Sequence, residues 1–114
     1  MNYIIHTPSS MRLKREIFDR VSAGADANGK SITSWQCVET DRGDQVLVYT
    51  IDQWVEKGYI VLNHNKSHDE LMVRFHYWDS CNDKNSDDDK IMLGRFTELI
   101  LVHFPYFIDK IVIE

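Results

Sequence analysis

Residues 71–78 of the chain, LMVRFHYW, constrain the fold more than any other feature of the sequence. Successive side chains of a β-strand point to opposite faces of a sheet, so this segment predicts a strand with two unlike faces. One face is apolar or aromatic and the other is mixed: Val73, Phe75 and Tyr77 against Arg74, His76 and Trp78. A second apolar run, residues 59–62, precedes it by a short loop. Together the two segments predict a β-hairpin.

A different periodicity occurs near the start of the chain. Apolar side chains recur every three or four positions from Leu13 to Val21, with charged residues between them, which predicts a helix with one buried stripe. A short apolar run at residues 3–5 predicts a strand before it. We expect Thr7 to cap this helix and Gly24 to end it.

Capping patterns predict two more helices. Residues 50–53 and residues 86–89 both have the spacing of a capping box, the first before one or two helical turns and the second before a long apolar helix over residues 91–104. Pro105 cannot continue that helix without losing a hydrogen bond. After it, residues 111–113 predict a buried strand.

A further hairpin, residues 32–38 with residues 46–49, completes a predicted order of β-α-β-β-β-β-α-β. This order predicts an α+β fold, with a mostly antiparallel sheet of five to six strands and two main helices packed on one face. The 114 residues are 43% hydrophobic, enough for one core, so residues 1–114 are predicted to form a single domain. The other face of the sheet must meet water or a partner.

The composition excludes several classes of function. A net charge of −5 repels nucleic acid, so no direct contact with DNA or RNA is expected. The sequence contains no signal-peptide pattern, no apolar run of the roughly 18 residues that cross a membrane, and no glycine-rich nucleotide motif. We therefore expect a soluble cytoplasmic protein with no cofactor and no membrane association. Both cysteines are expected to be reduced.

Two segments match part of a known metal-binding pattern, but each lacks residues or geometry that the pattern requires. His64 and His68 lie four residues apart, but in a hairpin loop rather than on a helix, and no HExxH motif is present. Asp83 to Asp87 matches the start of a calcium loop, yet the glycine and the bidentate glutamate that must follow are missing. No metal site is predicted, and weak cation binding at either place stays open.

Charge and aromatic side chains together suggest a protein contact. The densest acidic segment of the chain directly follows the aromatic end of the strand at residues 71–78. Carboxylates speed encounter with a basic surface, and tryptophan, tyrosine and arginine are frequent anchors of interfaces. The residues predicted to contact a partner are Arg74, His76, Tyr77, Trp78, Asp79, Asp83, Asp87, Asp88 and Asp89.

Residues 74–81, RFHYWDSC, and residues 94–104, GRFTELILVHF, resemble segments of small bacterial immunity proteins from contact-dependent growth inhibition systems. The resemblance covers the C-terminal half of the chain. It implies a cytoplasmic protein, not an enzyme, that binds the toxic C-terminal domain of a secreted effector, often a nuclease, and blocks its active site.

Two alternatives stay open. One is a small hydrolase or RNA-processing enzyme in which His76 or His103 works with a carboxylate such as Glu98 or Asp79. The pattern nevertheless favours His103 as a hydrogen-bonded histidine of the core, and no catalytic residue is assigned. The other alternative is a regulatory subunit with a different protein partner. The free chain is expected to be a monomer or a homodimer.

Overall fold

The computed structural model describes residues 2–65 and 69–114. Within them the chain forms six strands, three helices and one 3-10 turn at Pro105–Phe107. The strands are β1 (Tyr3–His6), β2 (Trp35–Glu39), β3 (Gln45–Tyr49), β4 (Gly58–Asn65), β5 (Glu70–Tyr77) and β6 (Lys110–Ile113). The helices are α1 (Ser10–Ala23), α2 (Trp54–Lys57) and α3 (Asp88–His103). None of the helices among these residues is long and apolar enough to cross a membrane.

The strands form one antiparallel sheet in the order β2-β3-β4-β5-β1-β6. The two long helices, α1 and α3, bury their apolar stripes in one core with the same face of this sheet. The predicted α+β fold, the order of its elements and the position of the helices on one face are confirmed. Among the residues that the structure describes, neither α1 nor α3 packs on the opposite face, so its side chains are available to form a surface.

Register explains how the sheet separates its two faces. Residues directly opposite each other in an antiparallel pair point to the same side. Tyr3 pairs with Val73, and Ile60 pairs with Phe75, which puts these side chains together beneath the helices. Phe96 of α3 packs edge-on against Tyr3, with ring centroids 6.0 Å apart. The alternation predicted for residues 71–78 is confirmed.

The predicted caps were wrong in detail. Ser9, not Thr7, caps α1: its side chain accepts the N–H of Arg12, while the N–H of Thr7 bonds to the carbonyl of Asp69 and continues the β1–β5 ladder. Helix α3 begins after Asp87, whose side chain makes no capping bond. Gly24 ends α1 with a positive φ of 77°, as predicted.

The last strand also differs from its prediction. We expected residues 111–113 to be a buried strand, but β6 pairs with β1 at the edge of the sheet, and its residues are half-buried or exposed. An apolar run therefore predicted the strand correctly and its burial incorrectly. Burial depends on what lies beyond the edge, which the run itself does not encode.

Candidate protein-binding surface

Three aromatic side chains meet on the face of the sheet opposite α1 and α3. Tyr59 of β4 lies opposite His76 of β5, and their rings stack with centroids 5.9 Å apart and an interplanar angle of 17°. The Trp78 ring packs against the Tyr59 ring, with centroids 4.4 Å apart and the ring planes tilted by 45°. We call Tyr59, His76 and Trp78 the aromatic cluster. Arg74 is exposed on the same face.

Trp78 is held in place by the chain around it. Its indole N–H donates to the carbonyl of Val55 at 3.1 Å, and its backbone N–H donates to the carbonyl of Lys57 at 2.9 Å. Its own backbone carbonyl accepts the N–H of Cys81 at 3.0 Å. A ring fixed in this way loses little conformational freedom when a partner covers it, which favours binding.

A groove of about 980 Å³ borders the aromatic cluster. The loop between β2 and β3 lines it opposite the cluster, and residues of α1 line it on the helix side. Among the described residues, β3 and β4 pair in register at Leu47 and Ile60 alone, so the tip of the β2–β3 hairpin stands apart from the end of β4. The charged side chains of the groove have mixed sign: Lys14, Arg15, Asp19, Glu39, Asp41, Arg42, Asp44 and Asp79.

The acidic segment that follows the cluster is anchored by one buried carboxylate. Asp88 is 2% exposed, and both its oxygens lie 3.1 Å from the ammonium group of Lys57, which is 7% exposed. Asp88 also accepts the N–H of Asn85 at 2.9 Å, and the Tyr77 hydroxyl is shared between Asp88, at 2.8 Å, and the carbonyl of Asn85, at 3.0 Å. These bonds connect α2, β5, the acidic loop and α3.

The environment lowers the pKa of Asp88 and raises the pKa of Tyr77. Burial alone raises the pKa of Asp88, but the hydrogen bonds from Asn85, Tyr77 and Lys57 and the positive charge of Lys57 outweigh it, so its pKa lies below the ordinary value. Burial, followed by the contact with the Asp88 carboxylate, raises the pKa of Tyr77. Asp88 is therefore an ionised structural group, shielded from any partner.

The other predicted acidic contacts are accessible to different degrees. Asp79, Asp83 and Asp87 are exposed, and Asp89 is half-buried with one oxygen accepting the N–H of Lys90. The Asp83 side chain is 87% exposed and its carboxylate lies 3.8 Å from the Lys57 ammonium. We call these four residues, three in the loop and Asp89 in the first turn of α3, the loop aspartates. They extend from the aromatic cluster, where Asp79 lines the groove, to the start of α3.

The structure thus divides the predicted contact residues into two groups. Arg74, His76, Trp78 and the loop aspartates are exposed or half-buried, whereas Tyr77 and Asp88 bond to each other. Sequence reasoning left Tyr59 out of the site. The pairing of Tyr59 with His76 across the predicted hairpin would have identified it, because opposite residues share a face.

The histidines considered for catalysis have other surroundings. His103 is a hydrogen-bonded histidine of the core, as predicted, but its carboxylate partner is Asp26, 2.8 Å from Nδ1, rather than Glu98 or Asp79. Asp26 uses its other oxygen to accept the N–H groups of Asn28 and Lys30. The pair therefore ties the loop after α1 to the end of α3.

The metal-site patterns find no support in the part of the chain that the structure describes. Across residues 2–65 and 69–114, no three histidine, cysteine or acidic side chains converge as metal ligands. His68, which was paired with His64 in the sequence pattern, lies outside the described residues. Cys37 and Cys81 are both free and half-buried.

Comparison of the chain with protein-family models, curated proteins and solved structures finds no match.

Proposed function

We propose that this protein binds a bacterial toxin domain with a basic active-site surface, such as a nuclease, and neutralises it by covering that surface. The observation that carries the proposal is the aromatic cluster, which is fixed on the sheet face opposite α1 and α3 and is followed by three exposed aspartates of the loop and the half-buried Asp89 at the start of α3. The resemblance of residues 74–81 and 94–104 to immunity proteins of contact-dependent growth inhibition systems agrees with it.

The aromatic cluster has the properties of an interface centre. Binding energy at interfaces is concentrated in a few aromatic and arginine side chains that a rim of weaker contacts shields from water. Trp78 is half-buried and its indole N–H is hydrogen-bonded, and Arg74 is exposed on the same face of the sheet. A partner that covers this face would complete the burial of rings already partly removed from water.

The loop aspartates provide the complementary charge. Nucleases must be basic where they grip phosphates, so an ordered acidic loop is attracted to the region that has to be blocked. The ion pair between Lys57 and Asp88 holds the base of this loop. The carboxylates are therefore presented in a preformed arrangement, which reduces the entropy lost on binding.

The test uses the C-terminal domain of whichever protein is encoded immediately upstream of this chain. Co-expression should protect cells from that domain, and the purified proteins should bind. Trp78→Ala should weaken the affinity at least about thirtyfold, as expected for the centre of an interface. Tyr106→Ala is the matched control, because Tyr106 is 88% exposed and lies outside the cluster.

His76→Ala distinguishes lost contact from lost fold, because His76 is exposed and its removal leaves the hydrogen bonds of Trp78 in place. It should weaken binding with an unchanged thermal midpoint. The proposal is wrong if the upstream domain neither binds nor is inhibited, or if both cluster variants bind it as tightly as Tyr106→Ala does.

A further inference from the structure

The two edges of the sheet are not equivalent, and the β6 edge has an uncovered apolar side. Ile113 points to the helix side of the sheet, as does Tyr3 directly opposite it in β1. Tyr3 is 1% exposed, yet Ile113 is 54% exposed. The core therefore reaches Ile111 of β6, which is half-buried against it, and ends before Ile113, which stays exposed beside an open edge.

The pairing of β6 with β1 determines which backbone N–H and C=O groups point outward at that edge. Asn2 and Glu114 exchange both N–H···O bonds, at 2.8 and 2.9 Å, so Glu114 points its N–H and C=O towards β1. In an antiparallel ladder this direction alternates along the strand. Val112 therefore also bonds towards β1, and the N–H and C=O groups of Ile111 and Ile113 point away from the sheet.

We propose that β6 pairs antiparallel with β6 of a second copy of this chain, in the register that places Ile111 opposite Ile113 of the second copy. This register uses every outward N–H and C=O of Ile111 and Ile113 in both strands, giving four backbone hydrogen bonds. Val112 then lies on the twofold axis. The pairing is isologous, as expected for a symmetric dimer.

Complementary charges on β6 favour a second copy of this chain as the partner at this edge. In the same register Lys110 lies opposite Glu114 of the second copy, and symmetry repeats this pair on the other side of the axis. Both side chains are exposed in the single chain. The other edge strand, β2, carries Glu39 and no basic side chain, so self-pairing there would gain no such contacts.

An exposed strand edge is a template for further pairing, and proteins usually protect it with proline, a bulge or inward-pointing charge. Strand β6 contains no proline, and its protections are its length of four residues and one lysine, Lys110, at its start. Pairing with a second copy covers the edge and puts Ile111 against Ile113 of the second copy on the helix side. The two six-stranded sheets become one continuous sheet with all helices on the same side.

Sedimentation equilibrium of the chain alone tests this inference without any toxin. Over concentrations from about 5 to 500 µM, the mass should approach twice the 13.4 kDa of one chain, since the dimer fraction rises with protomer concentration. Ile113→Pro should abolish the dimer, because proline removes an outward donor while sparing the bonds to β1. Ile113→Thr keeps that donor and is the control.

A charge-reversal series tests the register itself. Lys110→Glu and Glu114→Lys should each weaken dimerisation about tenfold, because each creates two like-charge pairs across the axis. The double variant restores both pairs and should return to within about threefold of the wild-type constant. A monomeric wild-type chain, a dimer that survives Ile113→Pro, or a double variant as weak as the single ones would overturn the inference.

Discussion

Lys57 and Asp88 form a buried ion pair between the end of α2 and the start of α3, with the ammonium nitrogen 3.1 Å from each carboxylate oxygen. Taking two charges out of water is costly, and a pair like this persists only when further hydrogen bonds satisfy it. Here Tyr77 and Asn85 supply them. The acidic loop therefore owes its shape to an aspartate that cannot itself touch a partner.

Removing one member of this pair should be strongly destabilising. Asp88→Ala should lower the free energy of unfolding by about 3–5 kcal/mol, because it leaves the Lys57 ammonium without its main counter-charge in a buried site. Urea denaturation followed by circular dichroism measures the change. Asp87→Asn, one residue earlier and exposed, should alter stability by less than about 0.5 kcal/mol.

The corresponding double variant separates charge from packing. Lys57→Met with Asp88→Leu removes both charges together and should recover most of the loss, because an apolar pair of similar volume incurs no desolvation penalty. Equal losses in the single and double variants would contradict the account of Asp88 as a charge compensated by Lys57.

Stability should fall in acid partly through Asp26. The hydrogen bond from His103 lowers the pKa of Asp26 most; burial opposes this, and the N–H groups of Lys30 and Asn28 lower the pKa further. Because the pKa is lower in the folded protein than in the unfolded chain, the contribution is present above the ordinary value of 3.8 and is lost as pH falls through the folded value.

Urea unfolding of the wild type and Asp26→Asn at a series of pH values from about 7 down to 2 measures this contribution. The variant keeps an oxygen for the loop N–H groups and lacks the charge. Its stability should be lower at neutral pH and should decline less steeply below about pH 4, so that the two curves converge in acid. Parallel curves would show that Asp26 does not contribute to the acid transition.

Much of the fold could be predicted from local patterns. The same patterns failed where the burial of a side chain depends on residues distant in the sequence. Alternation along residues 71–78 correctly separated Trp78 from Tyr77. The pattern also assigned Asp88 to the surface. Its burial depends on Lys57, 31 positions earlier, and no periodicity identifies a lysine whose charged end is enclosed by tertiary contacts.

The sequence predicted only those parts of the candidate site that depend on local patterns. The cluster of aspartates and the neighbouring Trp78 could be read directly, since charge density and strand alternation are local properties. Tyr59 joins them only through its register with His76. The groove beside them depends on how far the β2–β3 hairpin separates from β4, which follows from their limited pairing rather than from either sequence segment.

Two glycines should respond oppositely to alanine. At Gly58 a Cβ atom would lie 2.2 Å from the carbonyl oxygen of His76 and 2.7 Å from the ring of Phe75, so strands β4 and β5 would have to move apart. Gly58→Ala should cost about 1–3 kcal/mol, the range for overpacking a core. At Gly94, on the exposed side of α3, a Cβ meets nothing within 4 Å.

Gly94→Ala should therefore stabilise the protein by about 0.5–1 kcal/mol, because alanine loses less backbone entropy than glycine inside a helix. Thermal denaturation of both variants beside the wild type checks the pair. A neutral Gly58→Ala would mean that β4 and β5 tolerate a wider separation than the one observed.

Neutralising the four loop aspartates together should slow binding of a basic partner without unfolding the protein. The quadruple variant to asparagine leaves Asp88 and its bonds intact, so the thermal midpoint should stay close to that of the wild type. The association rate at low salt should fall about tenfold or more, because steering by exposed charges dominates encounter there. Stopped-flow measurements across a salt series give both quantities.

A charge-matched control distinguishes local steering from total charge. Amide substitutions at Asp52, Asp69, Glu98 and Asp109, all exposed and outside the acidic loop, remove the same four negative charges. This control should keep more of the association rate and of its salt dependence, because screening confines the effect of exposed charges to about 8–10 Å. If both quadruple variants slow association equally, the overall charge of the protein, rather than the ordered loop beside Trp78, attracts the partner.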